Sequence, residues 1–148
     1  MANAEIIVVG TSELRLLTEL YNAVFRPSET EAYFRSRFQG KNNVLILVAR
    51  LDGRPVGFCA GYEHSPSIHQ SWLCGVLPDF RRAGIATQLI KAEHAWAADH
   101  GYTTCRFECQ NSHRPMLHAA ISQEYDMVGI RWDSESGDNV VLFERTLT

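Results

Sequence analysis

The stretch "VLPDFRRAGIATQLI", Val76 to Ile90, decides the fold. It begins as the end of a strand and finishes as a helix. Between the two lies "RRAGIA", Arg81 to Ala86, with arginines, a glycine and alanines where a serine or aspartate would ordinarily cap. A helix N-terminus presents unpaired backbone N–H groups and the positive end of the macrodipole. An anion reaches those groups only if its oxygens approach the backbone closely. Gly84 has no Cβ to prevent that, Ala83 and Ala86 crowd it little, and Arg81 and Arg82 add positive charge. The segment reads as a pyrophosphate cradle. The rival reading is an ordinary helix start whose small residues allow close packing. Neither a P-loop, G-x-x-x-x-G-K-[ST], nor a dinucleotide G-x-G-x-x-G is present.

The surroundings favour the cradle. "HQSWLCGV" before it is a strand, and the helix after it puts Ile85, Leu89, Ala92 and Trp96 on one face before stopping at Gly101. "TTCRFEC" follows as another strand, so the motif sits inside a right-handed βαβ unit. Upstream, "EIIVV" is a short strand, and Leu14, Leu17, Tyr21, Val24 and Phe25 form a helical stripe that ends at Pro27. Ser28 and Glu31 form a capping box for a second helix through Phe38. "NVLILVARL" and "VGFCAGY" make a hairpin about "DGRP", and Glu63 to Ser67 form a loop. Downstream come a short helix "PMLHAAIS", a strand "YDMVGIRW", a turn "SESGDN" and a last strand "VVLFERTL". The expected order is β-αα-β-β-β-α-β-α-β-β, an α/β (α+β) fold in one domain over residues 1–148.

Composition excludes several classes. Hydrophobic residues are 45% and charged residues 21%, as in a soluble globular chain. The 14 Lys and Arg against 17 Asp and Glu leave a net charge of -3, which argues against general nucleic-acid binding. No apolar run reaches the roughly 18 residues of a membrane span. "MANAEIIVVG" lacks the basic and hydrophobic regions of a signal peptide, so a cytoplasmic protein without membrane attachment is expected. Cys59, Cys74, Cys105 and Cys109 lie in strand-like runs and read as reduced, buried thiols. Cys105 and Cys109 would stand about 13 Å apart on one strand face, too far to share a metal. His69, His94 and His100 read as surface or strand-end residues, and no metal site is expected.

Val76, Pro78, Phe80, Arg81, Gly84 and Ala86 together resemble the signature of the GCN5-related N-acetyltransferase (GNAT) family. The order of elements resembles that family's fold across essentially the whole chain. The resemblance implies a mixed, mostly antiparallel, twisted sheet with a central βαβ unit and flanking helices. It implies acetyl-CoA as co-substrate, with its pyrophosphate on the backbone N–H groups of Arg81, Arg82, Ala83, Gly84, Ile85, Ala86 and Thr87. Strands four and five would splay, and the pantetheine arm would bond the freed edge at Cys74, Gly75 and Val76. A backbone N–H there, that of Val76, would stabilise the oxyanion. Asn111, just after the fifth strand, would touch the pantetheine arm.

The implied reaction is direct attack by an acceptor amine on the acetyl group, with no metal and no enzyme nucleophile, so a general base is expected. Glu108, facing away from Phe107 and Cys109 by strand alternation, is the first candidate; the other reading is a structural carboxylate beside Arg106. Glu63 and His64 are the second choice. Many members carry a tyrosine in the fourth helix that protonates the leaving thiolate. Here that position falls at His118 counting from Asn111, or near Ala120 counting back from Glu124 and Tyr125, and neither is tyrosine. An imidazole has a suitable pKa, so His118 is the candidate acid; unaided departure of the thiolate is the alternative. A catalytically silent acyl-CoA-binding module or sensor is the rival function. The acceptor is a small-molecule or peptide amine, and a homodimer stands beside a monomer. Glu63, Asp133, Glu135 and Asp138 lean towards a cationic acceptor, though solvated turn carboxylates explain them equally.

Overall fold

The computed structural model describes residues 2–147. Strand β1 (Glu5–Val9) leads through a 3-10 turn into helices α1 (Leu14–Val24) and α2 (Glu31–Phe38). Strands β2 (Leu45–Leu51), β3 (Arg54–Ser65) and β4 (Ile68–Val76) follow. Then come α3 (Ile85–Asp99), β5 (Thr104–Gln110), α4 (Arg114–Ser122), β6 (Asp126–Asp133) and β7 (Asp138–Thr146). This is the expected element order. The seven strands form one sheet in the order β1-β2-β3-β4-β5-β7-β6, and only β4 and β5 run parallel.

Alternation along β2 explains the layers. Ile46 and Val48 face α1 and α2, where they meet Leu17, Leu20, Phe34 and Phe38. Leu45, Leu47 and Ala49 face the other way, against Ile85 and Leu89 of α3. Every residue from Leu45 to Ala49 is therefore buried, as a strand covered on both faces must be. The β2–β3 hairpin closes through Asp52 and Gly53, both at positive φ, the conformation that a two-residue type I′ turn requires.

Three local expectations are corrected. The α2 cap is Thr30, whose hydroxyl accepts from the Tyr33 N–H at 3.1 Å, and not Ser28. Asn22 clamps the backbone of Glu29 through both its carboxamide groups, so the helix begins only beyond that clamp. Glu63 and His64 lie on β3, which continues to Ser65 because Ser65 still pairs with Ile68. His69 and His94 are not surface residues; both are buried.

His94 packs α3 against the far end of the sheet. Its Nε2 and the Tyr125 hydroxyl are 2.5 Å apart, and that hydroxyl donates to the Cys105 sulfur at 3.2 Å. Burial lowers the His94 pKa to about 4, with Arg145 and His69 adding to the effect against the pull of Glu93. The unfolded chain protonates this ring below about pH 6.5. Between that value and pH 4 the unfolded state therefore holds the extra proton, and stability falls as pH falls. The slope is at most about 1.4 kcal/mol per pH unit from this group. His94→Gln can still donate to the Tyr125 oxygen but cannot titrate. Urea unfolding at pH 7 and pH 5 should show the wild type losing more stability than the variant; parallel losses would refute the assignment.

Candidate active site

The N-cap of α3 is Gly84, at φ 79° and ψ 11°, with no side-chain cap. That left-handed conformation favours glycine. The Gln88 N–H bonds the Gly84 carbonyl at 3.2 Å, so the N–H groups of Ile85, Ala86 and Thr87 point out of the helix ahead of its ladder. Arg81 is tied down: its Nε donates to the Val76 carbonyl at 3.1 Å, fastening the loop to the end of β4. Arg82 is exposed and adopts φ 62°. The N-terminal segment buttresses the loop, with Ala2 N–H on the Ala83 carbonyl and Gln88 bonded to Ala2 and Ala4.

Strands β4 and β5 pair only from Ile68–Gln70 to Thr104–Arg106 and then part. The parting begins at a bulge. Ala60 pairs with Leu73 and Gly61 with Ser71, which leaves Trp72 as an extra residue in β4. Its indole packs among Phe34, Phe38 and Tyr62, with the Arg37 guanidinium 4.4 Å above it.

Two spaces meet at the parting. A narrow channel of about 50 Å³ is walled by Leu73 and Cys74 of β4, by Ile90 and Glu93 of α3, and by Met116, Ala119 and Ala120 of α4. A wider cleft of about 320 Å³ is walled by Arg37, Tyr62, Gln70, Gln110 and Arg131. Ser71, Trp72 and Glu108 line both. Glu108 is ion-paired with Arg131 across the mouth of the cleft.

Of the residues expected at the site, Cys74 and Glu108 line the channel. Val76 lies farther out, at the end of β4. A Cβ on Gly75 would stand 2.9 Å from Phe58 and 3.1 Å from Phe25, so aromatic packing alone requires glycine there. Asn111 is exposed, its N–H on the Asn139 carbonyl. His118 is exposed on α4, while its neighbours Ala119 and Ala120 face the channel. Glu63 accepts from the Tyr102 hydroxyl at 2.8 Å, and His64 meets Arg106, both outside the cleft walls. Asp133, Glu135 and Asp138 are likewise not among those walls.

Sequence reading missed a buried polar cluster beneath the parting. Glu93 is 1% exposed and His69 0%. The Glu93 carboxylate takes the Ser71 hydroxyl at 2.8 Å and the Cys59 thiol at 3.5 Å on one oxygen, and His69 Nε2 at 2.8 Å on the other. A signal was present: Glu93 follows Ile85 and Leu89 at four-residue steps, so it stands on the apolar stripe of α3. Among the described residues, no group of three or more His, Cys, Asp or Glu side chains is arranged to hold a metal ion. No helix among them is long and apolar enough to cross a membrane.

Comparison with known proteins places this arrangement. No curated protein matches the sequence. The ribosomal-protein-S18-alanine N-acetyltransferase of Escherichia coli superposes with a TM-score of 0.85 at 15% identity, over 99% of this chain and 95% of that one. Ard1 from Thermoplasma volcanium gives 0.83 at 16% identity, over 99% of both chains. Arabidopsis thaliana NAA60, solved with a bisubstrate analogue, gives 0.76 at 15%, over 97% of this chain and 98% of that one. At such identities the likeness is one of fold. The family evidence lies in the sequence, where residues 14–120 match the Acetyltransferase (GNAT) family. The chain belongs to the GNAT acetyltransferase family, enzymes that move an acyl group from acyl-CoA to an amine.

Proposed function

We propose that this protein transfers the acetyl group of acetyl-CoA to a primary amine by direct attack. One observation carries the reading: Ser71, Trp72 and Glu108 line both the channel and the cleft, so donor and acceptor entering separately would meet there. The uncapped N–H groups at Gly84–Thr87 hold the pyrophosphate, with Arg82 adding charge. The free edge of β4 beyond Gln70 receives the pantetheine arm as an added strand. Asn111 contributes to the same arm from the end of β5. The bulge at Trp72 lies at the junction itself, so backbone N–H groups there would polarise the acyl carbonyl in place of the Val76 N–H at the end of the strand.

Glu108 is the general base. It stands at the junction, and Arg131 holds its carboxylate there. His118, exposed on α4, would reach the leaving sulfur only through water, so it is the acid unless a group at the junction supplies that proton. The cleft joins two guanidinium groups and one carboxylate to the aromatic faces of Tyr62 and Trp72. That lining suits a small amine that also carries a carboxylate, with its nitrogen towards Glu108 and its anionic group towards Arg37 or Arg131.

Gly84→Asp tests the cradle. Aspartate is among the few side chains that tolerate the left-handed conformation of Gly84, so the variant should fold while its carboxylate places a negative charge where phosphate would sit. Calorimetric titration should show CoA binding at least about 10²-fold more weakly; equal affinity would refute the assignment. For the acceptor side, thiol release from acetyl-CoA can be followed with L-phenylalanine, phenethylamine, L-alanine and an alanine-initiated peptide. L-Phenylalanine should exceed phenethylamine in kcat/KM by about 10-fold or more, the worth of one charge-assisted hydrogen bond. Glu108→Gln should lower kcat with the best amine by about 10²-fold at unchanged CoA affinity. A wild-type rate in that variant would make Glu108 structural.

A further inference from the structure

Acetyl transfer to an amine moves two protons, and Glu108 accounts for one. An ammonium must first lose a proton to become a nucleophile. A second proton then leaves the nitrogen as its bond to the acyl carbon forms, and the departing sulfur needs one. A group that touches both reactants could carry that second proton from nitrogen to sulfur.

Ser71 is placed for this. Ser71 lines both the channel and the cleft, and its hydroxyl donates to the Glu93 carboxylate at 2.8 Å. Because its own hydrogen is committed to Glu93, the oxygen offers lone pairs to an incoming N–H. Glu93 is held in place by His69 on one oxygen and by Ser71 and Cys59 on the other. A hydrogen bond with Cys74, burial and Glu93 all push the Cys59 thiol pKa up, and the thiol donates to that carboxylate. His69 Nδ1 has no hydrogen-bond partner among the described residues. With the ring proton assigned to Nε2, the unpaired atom is an acceptor, a milder loss than a buried N–H. The ring ends the network, and a proton placed on Glu93 has its way out through Ser71 or the channel.

The site is built around these contacts. A Cβ on Gly61 would stand 2.5 Å from the Gln70 carbonyl, 2.7 Å from His69 Nε2 and 2.9 Å from Glu93 Oε2. Leucine or methionine at position 93 would continue the apolar stripe of α3. A buried carboxylate instead carries a desolvation cost that its partners must offset.

We infer that Ser71 and Glu93 form a proton relay that passes the second amine proton to the leaving sulfur. As the nitrogen–carbon bond forms, the N–H proton moves to Ser71 Oγ while the hydroxyl's own proton moves to Glu93 Oε1. As the carbon–sulfur bond breaks, Ser71 gives a proton to the sulfur and recovers one from Glu93. One N–H is lost, one S–H is gained, and both side chains return to their starting states.

This inference rests on the proposed acetyl transfer, and the test separates the two. Glu93→Gln keeps the size and can still accept from Ser71, with His69 in its other tautomer, but it cannot store a proton. Ser71→Ala removes the hydroxyl, and Ser71→Thr restores it. The assay is thiol release from acetyl-CoA with L-phenylalanine, or with whichever amine of the panel above turns over fastest. CoA affinity is measured by calorimetry and folding by thermal melting. The relay predicts that Glu93→Gln and Ser71→Ala lower kcat by about 10²-fold or more, with KM and CoA affinity within about threefold of wild type. Ser71→Thr should recover most of the rate. A wild-type kcat in Glu93→Gln, or a Ser71→Thr variant as slow as Ser71→Ala, overturns the relay alone. If Glu93→Gln does not fold, the Ser71 pair decides. A wild-type protein that acetylates no amine overturns the proposed function and the relay with it.

Discussion

The parting of β4 from β5 beyond Gln70 and Arg106 is the constraint on which the rest of this structure depends. A sheet interior normally satisfies every backbone N–H and C=O by pairing, and a strand that leaves its neighbour must offer those groups to something else. Here one extra residue in β4, Trp72, shifts the register against β3 at the point of departure. The indole of that residue is anchored in the aromatic layer under α1 and α2, so the bulge is fixed by packing. The same movement opens the channel towards α3 and α4 and the cleft towards α2 and the β6–β7 hairpin.

Side chains from α3 take over where the backbone ladder stops. Ser71 stands just beyond the last parallel pair, and its tie to Glu93 crosses from sheet to helix at that position. The helix with the uncapped N-terminus therefore also fixes the strand edge two turns farther along. Its start is held separately, through Arg81 on the Val76 carbonyl and Gln88 on the N-terminal segment. The start of α3 and the junction are thus tied to the same helix and the same strand.

Much of the fold was legible because its signals are local. The stripe of α1, the two-residue turn at Asp52–Gly53 and the uncapped start of α3 each follow from residues only a few positions apart. The misplaced details have tertiary causes. Ser28 loses the cap to Thr30 because Asn22, on α1, clamps Glu29. His69 and His94 resemble surface residues in sequence, and their burial comes from partners on other elements, Glu93 for one and Tyr125 for the other. Glu63, Asp133, Glu135 and Asp138 lean towards a cationic acceptor in sequence, with solvated turn carboxylates as the equal alternative, and none of the four is among the cleft walls, which include Arg37 and Arg131.

By itself, the sequence determined the order of elements, the βαβ unit and the uncapped helix start. Periodicity, turn chemistry and backbone sterics act over short spans and can be read from adjacent letters. Only the tertiary structure decided that Ser71, Trp72 and Glu108 share a junction, and that a glutamate on an apolar stripe is answered by a histidine, a serine and a cysteine. The contacts of Glu93 alone span 22 to 34 residues of chain. They depend on strand register, on one bulge and on the missing Cβ of Gly61, and a one-residue slip in β4 would turn Ser71 to the opposite face.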